Sequence, residues 1–145
     1  MTAPTKETRE DTYARDGFRC LMCGTLIGLS FGHRRAVGMG GSRILPPPID
    51  GVTQCVPCNG ACEAELQDLA LANGWKVRRW VQNPELVPVY YPFEFAWFRL
   101  EGIRRVMITP AVAMEMGCRV YGDDWMQWQL AKLSGAAGLN RGGVR

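Results

Sequence analysis

Four of the six cysteines fall into two Cys-x-x-Cys pairs, "CLMC" at Cys20 and Cys23 and "CVPC" at Cys55 and Cys58, with 31 residues between them. A backbone turn lets two thiolates separated by two residues converge on one cation. Two such knuckles in one chain read as a tetrahedral zinc site of the structural kind. The rivals are disulfide pairing, which needs an oxidising compartment, and a redox Cys-x-x-Cys, which usually comes singly. Cys62 and Cys118 are left over and read as small buried apolar residues. The chain's only histidine, His33, lies between the knuckles in "SFGHRRAVGMGGSR". An imidazole changes charge near neutral pH, so it can take a proton from water.

The elements that must carry these residues follow from local pattern. "KETREDTYARD", residues 6 to 16, can form a charged helix closed by Gly17. "TLIGLSFGH" is apolar and β-prone, and it delivers His33 at its end. Three glycines in four residues, Gly38, Gly40 and Gly41, demand a turn. "ILPPPIDG" cannot join a central strand, because three consecutive prolines donate no hydrogen bonds. "VTQCVPCN" returns as a strand to the second knuckle. Leu66, Leu69 and Ala70 recur at helical spacing, with Asn59 at or near the N-cap and Asn73-Gly74 at the end. Further on, "WKVRRWV", "LVPVYY" and "FEFAWFRL" with "IRRVMIT" read as strands, the last pair closed by Glu101-Gly102. Thr109-Pro110 starts a helix. Asp123 or Asp124 caps another, and "GAAGLNRGGVR" is a tail.

The bulk numbers set the frame. The chain has 145 residues, 47% of them hydrophobic, enough for one domain and one modest core. Its apolar runs are too short to span a bilayer. The opening "MTAPTKETREDTYARDG" has no apolar h-region, so we expect no signal peptide, no membrane anchor and a cytoplasmic location. The net charge is +3, and 14 of the 17 basic residues are arginine. A guanidinium suits phosphate, but it suits carboxylates and aromatic faces too.

The order Cys-x-x-Cys, Gly-His-Arg, Gly-Gly, Cys-x-x-Cys-Asn, helix resembles the HNH endonucleases, the zinc-stapled ββα-metal nucleases. It is most similar to the short HNH proteins encoded by bacteriophages. The resemblance is carried by "RDGFRCLMCG", "GHRRAVGMGGSR", "CVPCNGACEAELQDLALANGWKV" and "NPELVPV", from Arg15 to Val89. It implies an α+β fold: a ββα-metal core over residues 15–82, after an N-terminal arm or helix (1–14). A β-hairpin and helical extension of unknown role (83–134) and a tail (135–145) complete the division. It implies hydrolysis of DNA phosphodiesters, with His33 as general base and Asn59 as ligand of a catalytic Mg²⁺ or similar cation. Asp50 would orient the imidazole, and a structural zinc would sit on Cys20, Cys23, Cys55 and Cys58. Arg34, Arg35 and Arg43 stand beside His33 and are expected to contact phosphate. DNA, and other phage proteins, are the implied partners.

Two positions depart from the family pattern. Gly32 stands where an Asp or His metal ligand is usual, and Asp50 replaces the middle Asn. Asp50 could also raise the imidazole pKa and weaken the base. The alternative reading is therefore a degenerate HNH fold that binds DNA or protein through a zinc-stapled module. Arg78, Arg79, Arg104 and Arg105 could line a DNA face. The five tryptophans read as core rather than stacking platforms.

Overall fold

Thr5 opens the first helix by accepting a hydrogen bond from the Thr8 N–H at 3.0 Å. In the computed structural model, which describes residues 3–35 and 44–135, this helix is α1 (Lys6–Arg15). It is closed by Gly17 at φ +81°. Its polar sequence does not leave it free. Asp16 is buried and salt-bridged to Arg15. The Asp16 carboxylate also accepts from the Thr53 N–H at 2.9 Å and the Tyr91 hydroxyl at 2.5 Å. Arg15 donates to the carbonyls of Pro48 and Gly51. The C-terminal end of α1 is thus fastened to the core by buried, satisfied charges.

Strand β1 (Leu29–His33) pairs antiparallel with β2 (Gly51–Cys55), and His33 lies opposite Gly51. Helix α2 (Val56–Glu63) follows β2 directly. The sequence pattern runs its helix on without a break, but the backbone turns at Ala64 (φ −124°, ψ −106°). A separate helix, α3 (Gln67–Ala72), resumes the path and buries Leu69, Ala70, Leu71 and Ala72. The N-cap of α2 is Cys55, not Asn59.

A second sheet has the order β3 (Val89–Tyr91), β4 (Ala96–Glu101), β5 (Arg104–Ile108). The β4–β5 turn falls at Gly102, as read from sequence, with φ +63°. "WKVRRWV" forms no strand. Its one pairing is an isolated bridge from Val77 to Arg35, and the segment otherwise turns so that Trp75, Val77 and Val81 are buried. Helix α4 (Pro110–Tyr121) starts from the expected Thr109 cap. Helix α5 (Asp123–Leu133) is preceded by Gly122 at the N-cap, with Asp123 and Asp124 in its first turn. Those acids complement the positive end of the helix dipole.

Period-2 alternation along β4 makes this sheet a wall between two cores. Phe98 and Leu100 join Leu21, Val52, Cys62, Leu69 and Trp75 on the side of the cysteine knuckles. Trp97 joins Val77, Val87, Tyr121 and Trp125 on the side of α4 and α5. Gly117 explains itself here. A Cβ at that position would run into the Trp125 ring, so the glycine lets α4 and α5 close. Lys132 ties α5 down through the Asn73 side-chain oxygen at 2.7 Å, with its ammonium beside the Tyr90 and Trp97 rings. No helix among the described residues is long and apolar enough to cross a membrane.

Candidate functional site

The cysteines come from two corners of the first half. Cys20 and Cys23 lie in the turn after α1, where Gly24 N–H donates to Cys20 O at 2.9 Å. Cys55 ends β2 and Cys58 sits in the first turn of α2. The four sulfurs lie within 4.8 Å of one another, and Cys23 Sγ is 3.7 Å from Cys55 Sγ. None is in a disulfide. Metal–sulfur bonds of about 2.3 Å in a tetrahedron place sulfurs about 3.8 Å apart, so the set is positioned to hold a metal ion. The thiols are not equivalent. Burial works to raise Cys20, but N–H groups of the knuckle aimed at its sulfur, including Met22 at 3.4 Å, leave it below its ordinary pKa. Burial pushes Cys58 well up. Cys62 stays out of the cluster, buried against Gln54 and Met22. Cys118 packs at the edge of the second core.

His33 ends β1 with its ring half-buried and edge-on to Phe31, centroids 5.1 Å apart. Burial lowers its pKa, the Lys76 charge lowers it further, and the opposing pull of Asp50 and Glu63 is smaller. The imidazole is therefore held further toward its neutral form than an exposed one. The raising effect of Asp50 on the imidazole pKa is outweighed. Nor does Asp50 orient the ring among the described residues. Its two oxygens accept from Arg35 at 3.2 and 3.1 Å, and no hydrogen bond joins it to the imidazole.

Asn59 is the fourth residue of α2. Asparagine is unfavourable inside a helix and favoured at an N-cap, and here it caps nothing. Its half-buried side chain makes no hydrogen bond among the described residues. One turn on, on the same face, Glu63 pairs with Lys76 at 3.1 Å, and Lys76 donates to the His33 carbonyl at 2.7 Å. This relay ties the Asn59 face of α2 to the end of β1.

The three arginines divide. Arg43 lies outside the described residues. Arg34 is fully buried and cannot reach a phosphate. Strand alternation turns it away from His33, and its guanidinium donates to the carbonyls of Gly74, Ile49, Pro84 and Val87 at 2.9 to 3.1 Å. Burial lowers its pKa to about 10, which leaves it charged at neutral pH. Arg35 is committed to Asp50 and to the carbonyl of Val81 at 2.9 Å, with a third of its side chain exposed. Both look like surface cations in sequence because polarity alone does not reveal a carbonyl cage.

Gly32 has a steric cause. A Cβ there would run into Oε1 of Gln54 and stand 3.2 Å from the Val52 carbonyl. Gln54 is fully buried and its amide nitrogen contacts Cys62 and Met22, so it cannot swing out. Its Oε1 has no partner and points at the space that residue 32 leaves empty. Gly32→Ala should therefore cost about 1–3 kcal/mol by overpacking. Gly32→Ala combined with Gln54→Ala should regain part of it. Thermal melts of both variants check this, and a single variant as stable as the parent would contradict it.

Sequence reasoning missed the cleft beside this relay. It has a volume of about 320 Å³ and is lined by Glu63, Gln67, Lys76, Arg78, Arg79 and Trp80 among others. The run "KVRRW" was its only signal. Arg104 and Arg105, by contrast, pair with Glu101 and Glu94. The chain matches no family model, no curated protein and no solved structure.

Proposed function

We propose that the chain is a metal-dependent DNA endonuclease of HNH type, of the bacteriophage kind. His33 is its general base, Asn59 the protein ligand of a divalent cation, and one structural zinc is held by Cys20, Cys23, Cys55 and Cys58. One observation carries this reading. The only histidine ends the first strand of a hairpin whose second strand runs, through the second cysteine pair, into the helix that bears Asn59. Four thiolates with no oxygen donor suit zinc better than a hard cation. With all four positions filled by protein, it staples and does no chemistry.

The unpartnered Asn59 carboxamide fits a cation such as Mg²⁺, which asks for one or two protein oxygens and keeps its waters. Such a cation supplies charge stabilisation at the scissile phosphate and its leaving oxygen. His33, held toward its neutral form by half-burial beside Lys76, takes the proton from the attacking water. Lys76 fixes the end of β1 through the His33 carbonyl and adds positive potential near the phosphate. Gly32 and Gln54 leave residue 32 without a ligand, so affinity for the cation depends on Asn59 and on bound DNA.

A plasmid-nicking assay with Mg²⁺, Mn²⁺ or Ni²⁺ tests the reading. His33→Ala should lower the rate at least about a hundredfold. The wild-type rate should rise with pH through a value below the ordinary histidine pKa and be flat near pH 7. An unaffected variant, or no nicking under any cation, defeats the enzyme. The second reading, a zinc-stapled DNA-binding module without chemistry, is favoured by the closed position at Gly32. It predicts binding without nicking.

A further inference from the structure

Trp80 breaks the pattern of its kind. Trp75, Trp97 and Trp125 are buried, whereas Trp80 is 61% exposed. It is not loose. Its ring meets Tyr121 edge to face at 5.5 Å and 82°, and the Tyr121 hydroxyl accepts from the Arg78 N–H at 3.1 Å. The ring is thus braced on one side while much of its surface remains in water. It forms part of the wall of the 320 Å³ cleft, with apolar Leu71 and Val77 alongside.

The charges around the ring are unbalanced. Arg79 is exposed and makes no hydrogen bond or ion pair among the described residues. Arg78 also lacks a carboxylate partner there, its guanidinium lying over Trp128 at 5.7 Å. Glu63 is neutralised by Lys76. A braced indole sharing a cleft wall with two arginines that have no carboxylate partner, and with Glu63 and Gln67 in the same lining, matches one ligand chemistry well. A flat base stacks, its phosphates meet the arginines, and polar groups at the edge read the base. The cleft has the size of a small-ligand pocket and is too small for a duplex. The base must be unpaired.

We propose that this cleft is a subsite for one unpaired nucleotide of single-stranded or gapped DNA, stacked on Trp80 with its flanking phosphates on Arg78 and Arg79. The cleft shares Glu63 and Lys76 with the relay that ends at the His33 main chain. The captured nucleotide therefore lies at a fixed offset from the proposed scissile phosphate. That offset rests on the nuclease reading; the binding does not.

The full-length, metal-loaded protein is titrated with a labelled oligothymidylate and with a duplex of equal length. Anisotropy reads binding and tryptophan quenching reads stacking. Trp80→Ala should weaken single-strand binding about tenfold and change duplex binding far less. Trp80→Phe should recover most of the loss. Arg79→Ala should lower the salt dependence of binding by about one phosphate contact. A Trp80→Ala variant that folds and binds the single strand as tightly as the parent overturns the proposal. So does equal quenching by an acidic peptide, or an absence of single-strand binding. The His33→Ala variant separates this proposal from the nuclease reading. Trp80-dependent binding with no nicking by the parent leaves the subsite standing and removes the enzyme. Nicking with binding indifferent to Trp80 does the reverse.

Discussion

Removing the metal should unfold the first half of the chain. Leu21 and Met22 reach the core, but the rest of the turn from Cys20 to Gly28 has little else to hold it. Leu26 and Ile27 are 71% and 82% exposed. The turn's ties to the rest are a few backbone bonds, such as Leu21 N–H to the Thr53 carbonyl at 3.0 Å and Val56 N–H to the Gly28 carbonyl at 3.0 Å. Binding of a structural zinc by such a set supplies about 10–16 kcal/mol of apparent free energy. That equals the whole stability of an ordinary domain, about 5–15 kcal/mol. Without the ion, the sulfurs revert to thiols that nothing draws together, and the strand–helix corner at Cys55 loses its anchor. Chelation at neutral pH, or Cys58→Ser, should abolish the cooperative melt of the ββα segment. The near-ultraviolet signal of the Trp97, Tyr121 and Trp125 cluster should fade less, because that core has its own apolar contacts across α4 and α5. Elemental analysis should find one zinc per chain before treatment. An unchanged melting temperature in protein shown to be metal-free would refute the staple.

How much of this could be read in the sequence depends on whether the signal was local. The two cysteine pairs carry their geometry with them, because a knuckle is a turn of a few residues. Thr109-Pro110 and Gly102 were equally legible, one as a cap and the other as a turn that needs φ above zero. The break at Ala64 left no mark, since no glycine or proline stands there. "WKVRRWV" was misread because its apolar residues answer to two cores rather than one sheet face. The site split along the same line. His33 could be singled out by its frame. Gly32 could not be understood without Gln54, which is 22 residues away in sequence and adjacent only through the β1–β2 register. Arg34 sits next to the histidine in sequence and points into the protein. Strand alternation is the local clue to that inward direction.

Arg34 also carries the second large prediction. A buried guanidinium is normally met by a carboxylate. Here the four recorded bonds all go to main-chain carbonyls, and those carbonyls belong to three separate segments: Ile49 before β2, Gly74 after α3, and Pro84 with Val87 before β3. The five donors of arginine, set in a planar fork, can serve several segments at once; the point charge of lysine cannot. Arg34→Met fills much of the space but leaves the Gly74, Ile49 and Val87 carbonyls without a donor, while Pro84 O keeps the Val87 N–H. At about 1 kcal/mol or more for each orphaned group, the loss is at least about 3 kcal/mol. Arg34→Lys should recover only part of it, since one ammonium cannot span the same carbonyls. Denaturant melts of the two variants beside the parent decide the matter. A phosphate-binding Arg34 predicts the opposite: both variants as stable as the parent, with DNA affinity reduced. If Arg34→Met melts within about 1 kcal/mol of the parent, the carbonyl cage does not hold these segments together. The end of β1, and with it His33, would then be fixed by Lys76, by Arg35 on Asp50 and by the main-chain bonds of Arg34 to Asp50 and Val77.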